Sequence, residues 1–168
     1  INPLEVPMHA EPGKAPILKQ GLGYLSISHC SDALLIGWSS EKIGIDLEKS
    51  DRNVNATKIA ARFFSREEAI TLSSLDQSIL RKEVLNNWVV KEAAIKWERG
   101  KLLEGLTNWH WNQNKNIAFN NYLKCELDIH YFKYKSWYIA VAYKKSEQKN
   151  NKSIICDNLT ENLSHFLK

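Results

Sequence analysis

The order of its secondary-structure elements constrains the fold of this chain more than any other sequence feature. Short segments with strand-like alternation lie in both halves of the chain, and a block of residues with helical spacing lies between them. When strands and helices occur in separate blocks, the sheets are usually antiparallel and the helices pack against them. The sequence therefore predicts an α+β fold with antiparallel sheets and packed helices.

The strand-like segments are separated by turn-forming residues. Residues 1–22 contain Pro and Gly without clear periodicity and predict a loop. His29–Asp32 predicts a polar turn between two strands. The last two predicted strands, 122–131 and 137–143, are expected to be antiparallel neighbours. Together the pattern predicts strands at 23–28, 33–38, 42–47, 108–112, 122–131 and 137–143.

The helical block contains clear start and stop signals. Ser65 and Glu68 form a capping-box pattern, which predicts a helix over 66–75. The longest helix is expected to start at Asp76 or Ser78 and to end near Gly100, with a broad apolar face. Further helices are predicted at 56–64 and, as a short amphipathic segment, at 156–168.

Composition excludes several classes of protein. The 168 residues suit one domain or two small ones, and 43% are hydrophobic and 25% charged, which is ordinary for a soluble globular protein. No apolar run approaches the ~20 residues that span a bilayer, and no signal segment opens the chain. The three cysteines form no Cys-x-x-Cys pair, which argues against a zinc knuckle and favours a cytoplasmic location. A net charge of +4 is too small to indicate nucleic-acid binding, so we predict neither a nucleic-acid nor a membrane partner.

Two carboxylates on one predicted strand are the first candidate site residues. Asp46 and Glu48 are two positions apart, so their side chains point to the same face, and Gly44 before them allows close approach of another group. Carboxylate oxygens of this kind suit Mg²⁺ shared with a substrate phosphate. The alternative is an ordinary solvated strand face.

A second pair lies on the longest predicted helix. Glu92 and Lys96 are one turn apart, and a lysine beside a carboxylate cluster suits a phosphate ester. The alternative is a surface ion pair, which stabilises a helix by a few tenths of a kcal/mol. Four further residues are equally open to structural interpretations: Lys14, Ser28, His29 and Glu68.

Taken together in chain order, these residues closely resemble the motifs of the 4′-phosphopantetheinyl transferase superfamily. The likeness is greatest to the larger, pseudo-dimeric type, and it extends from about Lys14 to Lys96. The motifs that carry it are Gly13-Lys14-x-Pro16, Ser28-His29, Gly44-Ile45-Asp46-x-Glu48, Phe63-Phe64-Ser65-x-x-Glu68 and Trp88-x-x-Lys91-Glu92-Ala93-x-x-Lys96.

The resemblance implies a role for each candidate residue. Asp46, Glu48 and Glu92 match the family's Mg²⁺ ligands. Glu92 also matches the residue that takes a proton from the attacking serine, and Lys96 the lysine that contacts the transferred phosphate and acts as acid or base. The matches to residues that contact coenzyme A are Lys14, Ser28, His29 and Lys96, and Glu68 matches an acidic residue near the metal.

The resemblance also implies an activity and a fold. The family transfers the 4′-phosphopantetheine arm of coenzyme A to a serine of an acyl or peptidyl carrier protein and releases adenosine 3′,5′-bisphosphate. Its fold has two similar α+β halves, of which residues 1–41 would be the remnant of the first and 42–168 the second. Because the first half would be incomplete, we expect a monomer or weak dimer. The alternatives are a non-catalytic module that binds coenzyme A or the carrier and, less favoured, a nucleic-acid-binding domain.

Overall fold

The structure, a computed structural model, describes residues 7–11 and 14–144. It confirms the α+β class. Four α-helices and a short 3₁₀ turn (Gln113–Lys115) lie between and beside antiparallel strands. The strands are β1 (Met8–His9), β2 (Ile17–Leu18), β3 (Tyr24–Cys30), β4 (Ala33–Ser39), β5 (Ile43–Lys49), β6 (Trp109–Asn112), β7 (Ile117–Asn120), β8 (Cys125–Tyr134) and β9 (Trp137–Tyr143). The helices are α1 (Ala56–Phe63), α2 (Arg66–Ser73), α3 (Gln77–Glu98) and α4 (Leu102–Asn108).

A five-stranded antiparallel sheet is the largest layer, with strand order β5-β9-β8-β7-β6. The predicted pairing of the last two strands is confirmed, and Tyr131 lies opposite Ala140 in that register. β5 is brought from the middle of the chain to pair with β9, with Asp46 opposite Ala140. This long-range pairing places the Asp46 strand at one edge of the sheet.

The core lies between α3 and this sheet. α3 begins after Asp76 and ends where Arg99 adopts a left-handed conformation, close to the predicted limits. Its buried residues include Val84, Val89, Ala93 and Ala94, each fully shielded from solvent. They pack against the face of β9 formed by Tyr138, Ala140 and Ala142.

Gly44 allows α3 to approach β5 closely. A Cβ atom at position 44 would collide with the carbonyl oxygen of Ala93 and the backbone nitrogen of Trp97. Both are helix backbone atoms, so a side chain at position 44 could not be accommodated by rotating a neighbour. Gly44 therefore sets the short distance between the strand that carries Asp46 and the helix that carries Glu92 and Lys96.

The β3–β4 hairpin covers the outer edge of β5. The hydroxyl of Ser26 accepts a hydrogen bond from the Ile45 backbone nitrogen at 3.1 Å, and that of Ser28 accepts one from the Leu47 nitrogen at 3.4 Å. Unpaired edge groups are costly when buried, and here side-chain hydroxyls satisfy them. These two hydrogen bonds fix the hairpin against the part of β5 that carries Asp46.

Several predicted boundaries were wrong. β3 extends through His29 to Cys30, so the turn contains Ser31 and Asp32 and not 29–32. β5 extends to Lys49 rather than ending at position 47. β8 begins at Cys125, not 122, because 121–124 form a turn in which the Asn120 side chain accepts from the Leu123 nitrogen.

The sequence predicted neither α4, nor β7, nor the 3₁₀ turn Gln113–Lys115. The predicted loop over 1–22 contains the two-residue strands β1 and β2. The capping box of Ser65 and Glu68 is confirmed at the start of α2. The helix predicted at 156–168 lies outside the described residues. No helix in the described part of the chain is long and apolar enough to cross a membrane. The division at residue 41 into a remnant and a second half stays a prediction.

Candidate active site

Lys96 joins the strand and the helix of the candidate site. Its Nζ lies 2.6 Å from Oδ1 of Asp46 and 3.9 Å from Oε2 of Glu92. Asp46 is 4% exposed, so the interpretation of this strand face as solvated is wrong. The helical pair of Glu92 and Lys96 is present as an ion pair, but both side chains are largely buried against β5.

Ser28 supports Asp46 from the side of the hairpin. The Ser28 hydroxyl donates to Oδ1 of Asp46 at 2.6 Å, and its own oxygen accepts from the Leu47 backbone nitrogen at 3.4 Å. Both Ser28 and Asp46 are buried. The Asp46 oxygen therefore has two donors, a hydroxyl and an ammonium group, in a place with little water.

Burial controls the protonation of the two carboxyl groups nearest to Lys96. It raises the pKa of Asp46, although the charge and hydrogen bond of Lys96 and the hydrogen bond of Ser28 oppose this. Burial, followed by the negative charge of Asp46, raises the pKa of Glu92 to about 7, against the opposing charge of Lys96. A carboxyl group with this pKa can accept or donate a proton near neutral pH.

Glu48 completes a group of three carboxylates. It lies two residues after Asp46 on the same face of β5, and its negative charge contributes to the raised pKa of both Asp46 and Glu92. Glu48 is buried, and it accepts a hydrogen bond from the Lys49 backbone nitrogen at 2.9 Å. Its other oxygen forms an ion pair with Arg52.

The donor chemistry of these three residues fits Mg²⁺, which prefers carboxylate oxygens. In their present positions, however, no three His, Cys, Asp or Glu side chains within residues 7–11 and 14–144 are arranged to hold a metal ion. Two cations pair with this group instead, since Lys96 lies beside Asp46 and Glu92 and Arg52 pairs with Glu48.

The structure does not bring the other predicted coenzyme A contacts to this cluster. His29 is exposed, and because neighbouring strand residues point to opposite faces, its side chain points away from that of Ser28. Lys14 is also exposed and forms an ion pair with Glu11. Their predicted roles at coenzyme A stay predictions.

Glu68 lies in a different polar cluster. Its carboxylate accepts from Lys91 Nζ at 2.7 Å and lies 3.4 Å from Nδ1 of His110. None of the recorded contacts of Glu68 is to Asp46, Glu48 or Glu92. Lys91, which belongs to the Trp88-x-x-Lys91-Glu92 motif, is fully buried. Its place in the sequence, three residues after Trp88 and directly before Glu92, gave no signal that would distinguish it from an exposed lysine.

Comparison with known proteins adds independent support for the motifs. The family model described as the 4′-phosphopantetheinyl transferase superfamily matches residues 42–142, more than half of the chain, and spans β5 through most of β9. The chain belongs to this superfamily. The matched region contains Asp46, Glu48, Glu92 and Lys96, and it begins after the hairpin that carries Ser28 and His29.

One curated relative is a protein of Synechocystis sp. (strain ATCC 27184 / PCC 6803 / Kazusa), named as a candidate 4′-phosphopantetheinyl transferase. It is 31% identical over 114 residues, which cover 67% of this chain and 46% of the relative. The chain thus matches about half the length of this superfamily relative.

Proposed function

We propose that this protein transfers the 4′-phosphopantetheine arm of coenzyme A to a serine of an acyl or peptidyl carrier protein. The observation that carries the proposal is the convergence of Asp46, Glu48, Glu92 and Lys96 in a region that matches the superfamily. The carrier serine oxygen would attack the phosphorus bonded to the pantetheine arm. The bond from that phosphorus to the bridging oxygen would break, and adenosine 3′,5′-bisphosphate would leave.

Glu92 and Lys96 have the properties that this reaction needs. The pKa of Glu92, raised to about 7 by burial and by Asp46, lets it accept the serine proton near neutral pH. Lys96 already bonds to Asp46, and its three donors let it contact a phosphate oxygen as well. Diphosphate cleavage depends mainly on positioning and on neutralisation of charge, which these groups supply.

Asp46, Glu48 and Glu92 would hold Mg²⁺ through carboxylate oxygens, with the Arg52 guanidinium turned away from Glu48. The ion would neutralise charge on the diphosphate and on the leaving oxygen. Ser28 would keep Asp46 oriented through the hydrogen bond at 2.6 Å. His29 and Lys14 are proposed to contact coenzyme A phosphates, and Glu68 to act by supporting α3 through Lys91. We further propose a cytoplasmic protein that is a monomer or weak dimer.

The test is the mass shift of a purified apo carrier protein incubated with this protein, coenzyme A and Mg²⁺. We expect the carrier to gain one phosphopantetheine group, and Asp46→Ala and Glu92→Gln to abolish the gain. Glu104→Gln is the matched control, because Glu104 is an exposed carboxylate paired with Lys101 on α4. Equal transfer by wild type and by both site variants would refute the assigned roles.

A non-catalytic module that binds coenzyme A or the carrier is the second candidate. It is favoured by the fact that the match covers 46% of the relative, so that part of a complete site can lie elsewhere. Calorimetry with coenzyme A and Mg²⁺ tests it on this chain and on a longer form. We expect the 168-residue chain to bind more weakly, and equal affinity would contradict this. Binding without carrier modification would establish the module.

A further inference from the structure

Arg52 lies where it can neutralise Glu48 from solvent. It follows β5 in a turn in which its backbone nitrogen donates to the Lys49 carbonyl at 3.1 Å. The turn directs the guanidinium back toward Glu48, four residues earlier, and the two side chains form an ion pair. The arginine side chain is 49% exposed, whereas that of Glu48 is 11% exposed.

Two cationic side chains, Lys96 and Arg52, pair with different members of the three-carboxylate group. Lys96 lies on the helix side and serves Asp46 and Glu92. Arg52 lies on the solvent side and serves Glu48. Because a guanidinium stays charged at all relevant pH values, Arg52 cannot release Glu48 by losing a proton. It can release Glu48 by moving away, and its exposed side chain has room to do so.

We infer that Arg52 competes internally with a divalent cation for the Glu48 carboxylate. The guanidinium occupies Glu48 when the cation is absent and swings into solvent when the cation binds. This inference rests on the proposed function, since it assumes that Glu48 is a metal ligand. It assigns Arg52 the role of setting how tightly the site holds the ion.

Lys49 provides a matched control. It precedes the same turn and carries the same charge, but its ammonium group pairs with Asp32 at 2.8 Å and not with Glu48. Replacing either residue by Gln removes one positive charge near the end of β5, but only the Arg52 side chain contacts that of Glu48. A general change in electrostatic potential would change the binding of Mn²⁺ by both variants in the same direction, whereas competition for Glu48 would affect Arg52→Gln alone.

The experiment measures Mn²⁺ binding to the full chain at low salt, by calorimetry and by the electron paramagnetic resonance signal of free Mn²⁺. We expect Arg52→Gln to bind Mn²⁺ about fivefold more tightly than wild type, a factor in keeping with the loss of a partly exposed ion pair. Lys49→Gln should stay within about twofold of wild type, and Arg52→Lys, whose ammonium group competes less well for a carboxylate, should bind Mn²⁺ more tightly than wild type but less tightly than Arg52→Gln. Circular dichroism confirms that each variant is folded.

The possible outcomes separate the inference from the proposed function. If Arg52→Gln binds Mn²⁺ as wild type and Lys49→Gln do, or more weakly, Arg52 does not compete and the inference is overturned, while metal binding by the carboxylates stands. If wild type and Arg52→Gln both fail to bind Mn²⁺, the metal role of the carboxylates fails and the inference fails with it. If Arg52→Gln does not fold, Mn²⁺ binding by Arg52→Lys that is no tighter than binding by wild type would overturn the inference, because a lysine ammonium group pairs with a carboxylate less well than a guanidinium.

Discussion

Lys91 and Glu92 are neighbours on α3, yet their side chains contact different parts of the molecule. Lys91 donates to Glu68 at 2.7 Å and to the Leu106 carbonyl at 2.8 Å, which joins α3 to α2 and α4. Glu92 lies beside Lys96 and within electrostatic reach of Asp46 on β5. Because successive helix residues are rotated by about 100°, fixing Lys91 on one side also fixes the direction of Glu92.

Lys91→Met should destabilise the fold. The substitution leaves the Glu68 carboxylate and the Leu106 carbonyl without their buried donor. We expect a loss of about 3 kcal/mol in the free energy of unfolding, at the low end for a broken buried pair because Glu68 is partly exposed. Urea denaturation measures it. Lys101→Met is the control, since the exposed Lys101–Glu104 pair should contribute little. Equal losses in the two variants would contradict the structural role of Lys91.

Glu68 should make the free energy of unfolding depend on pH in the acid range. Burial alone would raise its pKa, but the hydrogen bond of His110, the charge and hydrogen bond of Lys91 and the hydrogen bond of Ser65 outweigh burial and lower the pKa to about 2. The folded pKa is below the ordinary value of 4.5, so the stabilisation is present above pH 4.5 and is lost as the pH falls toward 2.

The measurement is urea unfolding of wild type and Glu68→Gln at several pH values within this window. The free energy of unfolding of wild type should fall more steeply with acid, by up to about 1.4 kcal/mol per pH unit from this group. Above pH 4.5 the difference between the two proteins should be constant. Parallel curves through the window would show that Glu68 has no lowered pKa in the folded state.

Local spacing was sufficient to place each pair of candidate residues on one face of its element, whereas the family resemblance assigned their roles, which stay predictions. Two carboxylates at alternate strand positions and an acid and a lysine one helical turn apart fix which face each pair occupies. The structure places both pairs together because β5 pairs with β9 and packs against α3. Burial could not be predicted in the same way. A solvated Asp-x-Glu strand and a buried one have the same pattern, and the hairpin that buries Asp46 is a tertiary contact.

Other features depend on contacts that one-dimensional patterns do not contain. Ser28 and His29 are adjacent in a motif, but strand alternation separates their side chains, and the sequence analysis placed His29 in a turn. Lys91 is buried because Glu68, Leu106 and the Phe64 ring surround its ammonium group. α4 and β7 are short, of seven and four residues, and their apolar residues show little periodicity.

Gly44→Ala should separate the strand and the helix of the candidate site. The added methyl group meets helix backbone at Ala93 and Trp97, so β5 or α3 must shift. We expect a loss of at least about 3 kcal/mol in the free energy of unfolding, the upper end for overpacking. Gly100→Ala is the control, because its methyl group meets the carboxyl end of the flexible Glu98 side chain. The two losses are compared by urea denaturation, and a larger loss for Gly100→Ala would contradict this account.

The two serines of β3, Ser26 and Ser28, allow two roles to be separated. One role is to bond the backbone of β5 at its edge, and the other is to bond the Asp46 carboxylate. Both hydroxyls accept a hydrogen bond from the β5 backbone, but Ser28 also donates to Asp46 at 2.6 Å. Ser26→Ala should cost about 1 kcal/mol of stability through the orphaned Ile45 nitrogen. Ser28→Ala should cost about 2 kcal/mol, because it removes a hydrogen bond to a charged group as well.

The second readout is Mn²⁺ binding. Loss of the hydrogen bond to the β5 backbone, which both variants share, should not by itself make their affinities differ. Loss of the Ser28 donor removes one of the groups that lower the pKa of Asp46, so the carboxyl group should hold its proton more firmly. At pH 7, Ser28→Ala should therefore bind Mn²⁺ more weakly than Ser26→Ala. Raising the pH should reduce this difference in affinity, because Asp46 then loses its proton in both variants. Calorimetry at two pH values decides this. Equal affinity of the two variants at both values would show that the Ser28 hydroxyl serves the edge of β5 and not the carboxylate.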